Sequence, residues 1–369
     1  MARDGGVTGT GTDPRRWGAH RDLSCGRTEV VDASERSLRR AAGLLQDGHI
    51  VGIPTETVYG LAADAANADA VARVFDAKGR PRQHPLIVHL GQAANLSDWA
   101  LHVPPQASRL ADAFWPGPLT LVLDRGPSVL DVITGGQDTV ALRMPAHPVA
   151  QRLLRIFGGG LAAPSANLFG RVSPTTAGDV GAALGGAVDL VVDGGPCEVG
   201  VESTIVAFEG EEAAILRPGG VSPEAIAGVL GRRAREAPCA AARVPGMLAS
   251  HYAPATMLEL SSTDDVSSRA TELISTGARV GVLSLARVDV LGAAVVWDAG
   301  GEMALFARSL YRRLSEADEE GLDVLVVALP PDVGLGTAIR DRLRRASYRP
   351  ASRDHPLLAG SKEEPNDDR

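Results

Sequence analysis

The chain is short of cysteine, of aromatic rings and of long apolar runs, and each shortage removes a class of protein. Its three cysteines, Cys25, Cys197 and Cys239, are scattered and form no C-x-x-C pair. An odd, dispersed set builds neither a disulfide framework nor a zinc site, and fits reduced thiols in a cytosolic, that is cytoplasmic, setting. Aromatic residues make up 4% of the chain, few stacking platforms for a protein that reads single-stranded bases. No run of eighteen apolar residues occurs, so no membrane-spanning helix is expected. The opening MARDGGVTGTGTDPRRWGAH lacks the continuous apolar stretch of a secretory leader, and residues 1–27 and 351–369 read as disordered tails. There is no G-x-x-x-x-G-K-[ST] phosphate loop, no H-E-x-x-H and no G-x-S-x-G elbow. A formal net charge of -8 argues against a protein that coats nucleic acid.

What is present is an alternation of apolar strands and amphipathic helices over 369 residues, a length comfortable for two domains. Ser34 caps a helix whose inner face carries Leu38, Ala41, Ala42 and Leu45, with Gly48 as its stop. Asn67 caps a second with Val71, Val74 and Phe75 inward, and Ser222, Pro223 and Gly231 begin and end a third. Strands are predicted at HIVGIPT, PLIVHL, LTLVL, TVALRMP, LAAPSAN, VDLVVDGG, ESTIVAF and AAILRPGG. RRAREAPCAAARVPGMLASHYAP then reads as a linker. Beyond it TMLEL, RVGVLSL, AVVWDA and LDVLVVAL alternate with helices, which argues a parallel sheet flanked by helices. GLGTA near Gly334 reads as a helix start. The run RDRLRRASYR reads as a solvated basic face, with contact to tRNA left open. The predicted organisation is an α/β domain over 28–235, a linker over 236–254 and a smaller Rossmann-like α/β domain over 255–350.

In this acidic chain AKGRPRQHPLIVHL gathers Lys78, Arg80, Arg82, His84 and His89 at the mouth of one strand. Thr55 in PTET, Arg143 ending TVALR, Ser165 and Asn167 in PSAN, Ser203 in ESTI and Arg217 ending AAILR also lie at strand ends. Side chains from several strands converge at such places. Singly, each reads as a turn hydroxyl or a solvated cation. Together they point to an anionic ligand such as a triphosphate, because Arg grips phosphate or carboxylate bidentately and Lys adds a point charge.

The motifs IPTETVYGL, AKGRPRQHPLIVHL, WPGPLT, TVALRMPAHP, APSAN with SPT after it, DGG, GVESTIV and LRPG occur in that order, followed by PGMLASHYAP. They resemble the YrdC-type domain of the L-threonylcarbamoyladenylate synthases, in their long two-domain form. The resemblance implies a twisted mixed sheet with helices and a large cationic cavity. It implies synthesis of L-threonylcarbamoyladenylate and pyrophosphate from L-threonine, bicarbonate and ATP, with Mg²⁺ accompanying the ATP and no protein metal ligand. The adenylate would pass to proteins that modify tRNA. By the same resemblance Lys78 and Arg80 are catalytic and face the phosphates, while Thr139, Ser165, Asn167, Ser173, Arg217 and Tyr252 also contact nucleotide. Thr55, His89, Arg143 and Ser203 would hold threonine, with Arg143 on its carboxylate, and Tyr252 would close the linker over the nucleotide as a lid. Phe169 stands where many members carry a small polar residue, and no aspartate follows STIVAF. Two rival readings remain. One is a non-enzymatic RNA-binding module using the same cationic concavity. The other is a carbamoyl-transferring enzyme built on a related domain, which would bring zinc-finger or acylphosphatase segments that this chain lacks.

Overall fold

The computed structural model describes residues 28–91, 96–210, 212–236, 243–248 and 250–348. The tails expected at 1–27 and 351–369, like Cys25 and Cys239, lie outside these residues.

Strand β1 (Val30–Val31) leads into α1 (Glu35–Gln46), which buries Leu38, Ala41, Ala42 and Leu45. Its cap is Ser34, whose hydroxyl accepts the Ser37 amide. Strand β2 (Val51–Ile53) pairs antiparallel with β3 (Gly60–Asp64), and the PTET loop joins them. Strand β3 was not expected. Its Gly-Leu-Ala-Ala run carries little intrinsic strand preference, and pairing with neighbours on both sides imposes the conformation. Helix α2 (Ala68–Lys78) starts on the Asn67 side chain and ends at Gly79, whose left-handed backbone (φ 61°) turns the chain between Lys78 and Arg80. After β4 (Ile87–His89) come α3 (Leu96–Trp99), α4 (Pro105–Phe114) and β5 (Leu119–Asp124). These are followed by α5 (Asp131–Thr134), β6 (Thr139–Arg143), α6 (Pro148–Phe157) and β7 (Leu161–Ala162). Helix α7 (Ala177–Leu184), β8 (Leu190–Val192), β9 (Thr204–Glu209) and β10 (Glu212–Arg217) continue the chain. Helix α8 (Pro223–Leu230), begun by Ser222 and Pro223 and ended at Gly231, precedes β11 (Arg235–Glu236).

Among the described residues these eleven strands form one mixed sheet in the order β1-β8-β2-β3-β7-β4-β6-β5-β9-β10-β11. Alternation along the strands sends side chains to two faces. One face near β2 and β8 takes Val51, Ile53, Leu190 and Val192 into a core with Leu38, Leu45 and Leu153 of α1 and α6. The other packs Leu61, Leu121, Leu142 and Val191 against Val74 and Phe75 of α2, Leu110 of α4 and Val180 of α7. A third cluster decides where a ligand can enter. Ile87, Val122, Ala141 and Ile205 are covered by Val244 and Met247 of the linker, with no helix residue among them.

The second sheet holds β12 (Met257–Ser261), β13 (Val280–Ser284), β14 (Val295–Asp298) and β15 (Val324–Ala328) in the order β12-β15-β13-β14. All its pairings are parallel, as the alternation predicted. Helix α9 (Val266–Ser275) covers one face, and α10 (Met303–Glu319) and α11 (Leu335–Ser347) cover the other. Gly334 is the start of α11, not part of a nucleotide loop. The solvated basic face expected on α11 is corrected by the structure. Arg342 is 0% exposed, Arg345 donates to the Leu248 carbonyl at 2.8 Å, and Arg340 donates to the Pro330 carbonyl at 2.7 Å. Most of that basic run fastens the second domain to its own chain.

Candidate active site

The cavity under the linker is built from loops that end strands. In the PTET loop the Thr55 hydroxyl donates to the Val58 carbonyl (2.6 Å) and accepts the Thr57 and Val58 amides, which fixes a tight turn. That turn directs Glu56 at Arg143, the last residue of β6. Their buried ion pair is 2.6 Å long, and the second Glu56 oxygen accepts the Ala146 amide at 2.9 Å. Arg143 Nε faces the Gly117 carbonyl at 3.3 Å, so two of its N–H directions are already engaged. His89 lies beside Arg143 in the parallel register of β4 and β6. Burial, reinforced by the Arg143 cation, pushes the His89 pKa down to about 3, so the ring is neutral. Its Nδ1 is buried without a partner among the described residues.

Ser203 enters β9 and shares a hydrogen bond with Thr120 (2.7 Å). Arg217, ending β10, donates to the Ser203 carbonyl at 2.8 Å and to the Pro245 carbonyl of the linker at 2.9 Å. The turn after Arg217 needs glycine for close approach: a Cβ on Gly219 would stand 2.3 Å from the Glu202 carbonyl oxygen.

Lys78 and Arg80 flank the Gly79 turn. Lys78 Nζ donates to the backbone carbonyls of Ser165 and Asn167, and burial, with the Arg80 cation adding, pushes its pKa well down. Arg80 donates to the Pro85 carbonyl at 2.9 Å and lies 5.4 Å from the Phe169 ring centre. Burial brings its pKa to about 10. Phe169 also meets His84 and His251 edge-on. Pro245, Gly246, His251 and Tyr252 roof the cavity.

Of the residues singled out in the sequence, Thr55, Arg80, His89 and Arg143 line this cavity, as do Ser165, Ser203, Arg217 and Tyr252. Four do not. Lys78 lies behind the PSAN loop. Asn167 turns its amide onto the Leu168 and Arg171 carbonyls at 2.7 and 2.8 Å. Thr139 begins β6, at the opposite end of that strand from Arg143. Ser173 donates to Glu202 at 2.7 Å and lines a separate cleft with Tyr311 and Asp318 on the domain boundary. Sequence reasoning passed over Glu56 and Glu202, although both stand inside quoted motifs. It also passed over Tyr311 and Arg342, whose bonds to Glu202 span 109 and 140 residues and leave no local signal.

Lys78, Arg80 and Arg217 are buried, and none has a carboxylate partner within ion-pair distance among the described residues. Buried cations held only by neutral groups are costly unless an anion joins them. A metal cradle is a different matter. Among the described residues no group of three His, Cys, Asp or Glu could hold an ion. Glu56 is engaged by Arg143 and Ala146, and Glu202 by Arg342, Tyr311 and Ser173, so the residues present do not fit a protein-held Mg²⁺.

Comparison with known proteins bears on this arrangement. Residues 43–219 match a Sua5/YciO/YrdC family model described as telomere recombination, and residues 221–347 match one described as threonylcarbamoyl-AMP synthase, C-terminal domain. A threonylcarbamoyl-AMP synthase of Pyrococcus abyssi (strain GE5 / Orsay) is 40% identical over 87% of this chain and 98% of its own length. The chain belongs to the threonylcarbamoyl-AMP synthase family. A family member from Bacillus subtilis (strain 168) is 39% identical over 87% of this chain and 95% of its own. The crystal structure of P. abyssi Sua5 complexed with L-threonine superposes with a TM-score of 0.82 at 39% identity, over 87% of this chain and 98% of that one. Both sheets therefore belong to the family's architecture, as the ordered motifs implied.

Proposed function

We propose that the chain joins L-threonine, bicarbonate and ATP into L-threonylcarbamoyladenylate and pyrophosphate. The observation that carries this reading is the set of buried cations without carboxylate partners, beside a neutral histidine, under one roof. Threonine would place its carboxylate on the remaining Nη1 edge of Arg143, with Thr55 and Ser203 around its hydroxyl and amine. A neutral His89 leaves the amine free of a repelling charge. The amine nitrogen bonds to the carbon of bicarbonate and water leaves, giving a carbamate. A carbamate oxygen then attacks the α-phosphorus of ATP, and the bond to the β-phosphate oxygen breaks to release pyrophosphate. Chemistry of this kind depends on positioning and charge neutralisation more than on a nucleophilic side chain. Arg80 and Arg217 would meet the developing phosphate charge directly. Lys78 in this state shapes the PSAN loop from behind and would reach phosphate only by exchanging a carbonyl for it. Ser165 would complete the nucleotide site and Tyr252 would close it; Thr139, Asn167 and Ser173 lie outside the cavity and would meet nucleotide only where it extends beyond these walls.

Mg²⁺ would arrive on the triphosphate; no step above runs through it. Residues 28–235 would carry the chemistry, 236–254 the lid and 255–350 a domain that controls the lid. No helix among the described residues is long and apolar enough to cross a membrane, and we place the reaction in the cytoplasm. There the adenylate would pass to proteins that transfer its threonylcarbamoyl group to tRNA. The RNA-binding alternative is disfavoured because the cavity is roofed by the linker and three arginines of the basic C-terminal run are bonded within the chain. The test is pyrophosphate release with threonine, bicarbonate, ATP or Mg²⁺ omitted in turn, with the adenylate identified by mass spectrometry. Release that proceeds equally without threonine would overturn the assignment.

A further inference from the structure

Tyr252 has the backbone of a residue held in place by force. Its φ is 63°, and it is the one non-glycine residue with positive φ among those described. A bulky side chain adopts that region where its surroundings over-determine it. The ring is 1% exposed, and its hydroxyl is buried with no partner among the described residues. That hydroxyl belongs to the cavity roof, where a ligand oxygen could accept it.

The contacts that hold the ring come from the second domain. The Arg342 guanidinium lies 5.1 Å from the Tyr252 ring centre. Tyr311 stacks on the same ring at 5.6 Å with an interplanar angle of 27°. Both residues converge on Glu202: Arg342 Nε donates at 2.7 Å, and the Tyr311 hydroxyl reaches the two carboxylate oxygens at 2.9 and 2.7 Å. Arg342 also donates to the Pro218 carbonyl at 3.0 Å, in the turn that follows Arg217. Glu202 directly precedes Ser203, which Arg217 binds. Burial opposes its charge, but the Arg342 and Arg217 cations outweigh this and hold its pKa down at about 2.

We propose that Arg342 is a positioning residue for the reaction: anchored on Glu202, its guanidinium and the Tyr311 ring hold Tyr252 over the nucleotide end of the cavity. The proposal rests on the reading of Tyr252 as the residue that closes on ATP. An ion pair alone would fasten the domains just as well with lysine. Lysine keeps a charge for Glu202 but has no planar face to lay on a ring and no second N–H edge for the Pro218 carbonyl.

The experiment measures apparent KM values for ATP and threonine by pyrophosphate release, using the full-length chain. Wild type, Arg342→Lys, Tyr311→Leu and Tyr252→Leu are compared, and thermal melting checks the fold. Arg342→Lys and Tyr311→Leu should each raise the ATP KM about tenfold, as Tyr252→Leu does, and leave the threonine KM within about twofold. Arg342→Lys added to Tyr252→Leu should change the ATP KM no further. If Tyr252→Leu raises the ATP KM while Arg342→Lys and Tyr311→Leu leave it at the wild-type value, the positioning role is wrong and the reading of Tyr252 stands. An unchanged ATP KM in Tyr252→Leu removes both. Equal rises for ATP and threonine in Arg342→Lys would mean a general collapse and overturn the proposal. Should Arg342→Lys melt too early to assay, the Tyr311→Leu comparison decides by the same criteria.

Discussion

Lys78 and Arg80 are two positions apart, yet the closed molecule employs them differently, and their variants should differ accordingly. Arg80 lines the cavity, so its truncation removes a preorganised donor and widens a space that already exists, at the cost of the Pro85 carbonyl's partner. Arg80→Ala should lower turnover on the order of a hundred- to a thousand-fold, far more than its loss of a single hydrogen bond to the Pro85 carbonyl lowers the melting temperature. Near-normal turnover would mean that Arg80 does not act on the reacting phosphates. Lys78→Met should also destabilise, because the Ser165 and Asn167 carbonyls lose their buried donor. The cost is about 1–3 kcal/mol for a buried group left unpaired, measurable by urea unfolding. Arg143 presents a third case. Its Nη2 and Nε serve Glu56 and Gly117, so an ammonium in its place could not hold these and a threonine carboxylate together. Arg143→Lys should raise the threonine KM far more than the ATP KM, and equal rises would indicate collapse of the pocket instead. The cations and hydroxyls at strand ends were legible in the sequence because residue type alone suggests an anion. Their counter-charges were not, since Glu56 meets Arg143 across 87 residues and only the sheet order makes them neighbours.

The helices whose ends are written locally were legible. Ser34, Asn67 and Ser222 each accept an amide at a helix start, and Gly79 and Gly231 end helices in the left-handed conformation. Helix α7 also carries a readable sign, the reciprocal Thr176–Asp179 capping box, yet its Gly- and Ala-rich body masked it. Strand β3 carries no comparable sign, because small residues take whatever conformation their neighbours impose. Gly79 gives a test of how an element end serves the site. Nothing lies within 4 Å of a Cβ built there, so Gly79→Ala would meet strain in the backbone and no clash. It should cost about 1–2 kcal/mol in urea unfolding and lower turnover by displacing Arg80. Gly79→Asn should recover much of both, because asparagine tolerates the left-handed region better than alanine does. Alanine and asparagine variants that behave alike would show that the turn's handedness is irrelevant to the site.

The molecule as a whole closes a polar cavity with a linker that a second domain holds down, and that closure should leave a mark on its acid stability. His89 and His251 are both buried, and both have a pKa near about 3 against an ordinary 6.5. Burial is the main cause. For His89 the Arg143 cation adds to it, and for His251 Arg80, Lys78 and Arg217 add to it while Glu202 opposes. Between those two pH values the unfolded chain binds protons that the folded chain refuses. Stability is therefore lost as pH falls from 6.5 toward 3, at up to about 1.4 kcal/mol per pH unit for each histidine. Glu202 acts lower on the scale: its folded pKa is about 2 against 4.5, so its contribution is complete above pH 4.5 and fades as pH falls through 2. The expected result is a urea midpoint that begins to drop near pH 6, before carboxylates titrate, with a shallower slope between pH 6.5 and 5 in His89→Gln and in His251→Gln. A midpoint that stays level from pH 6.5 to 5, or histidine variants that keep the wild-type slope, would mean that these two rings take up protons in the folded chain as readily as in the unfolded one, and that the closed linker does not shield them.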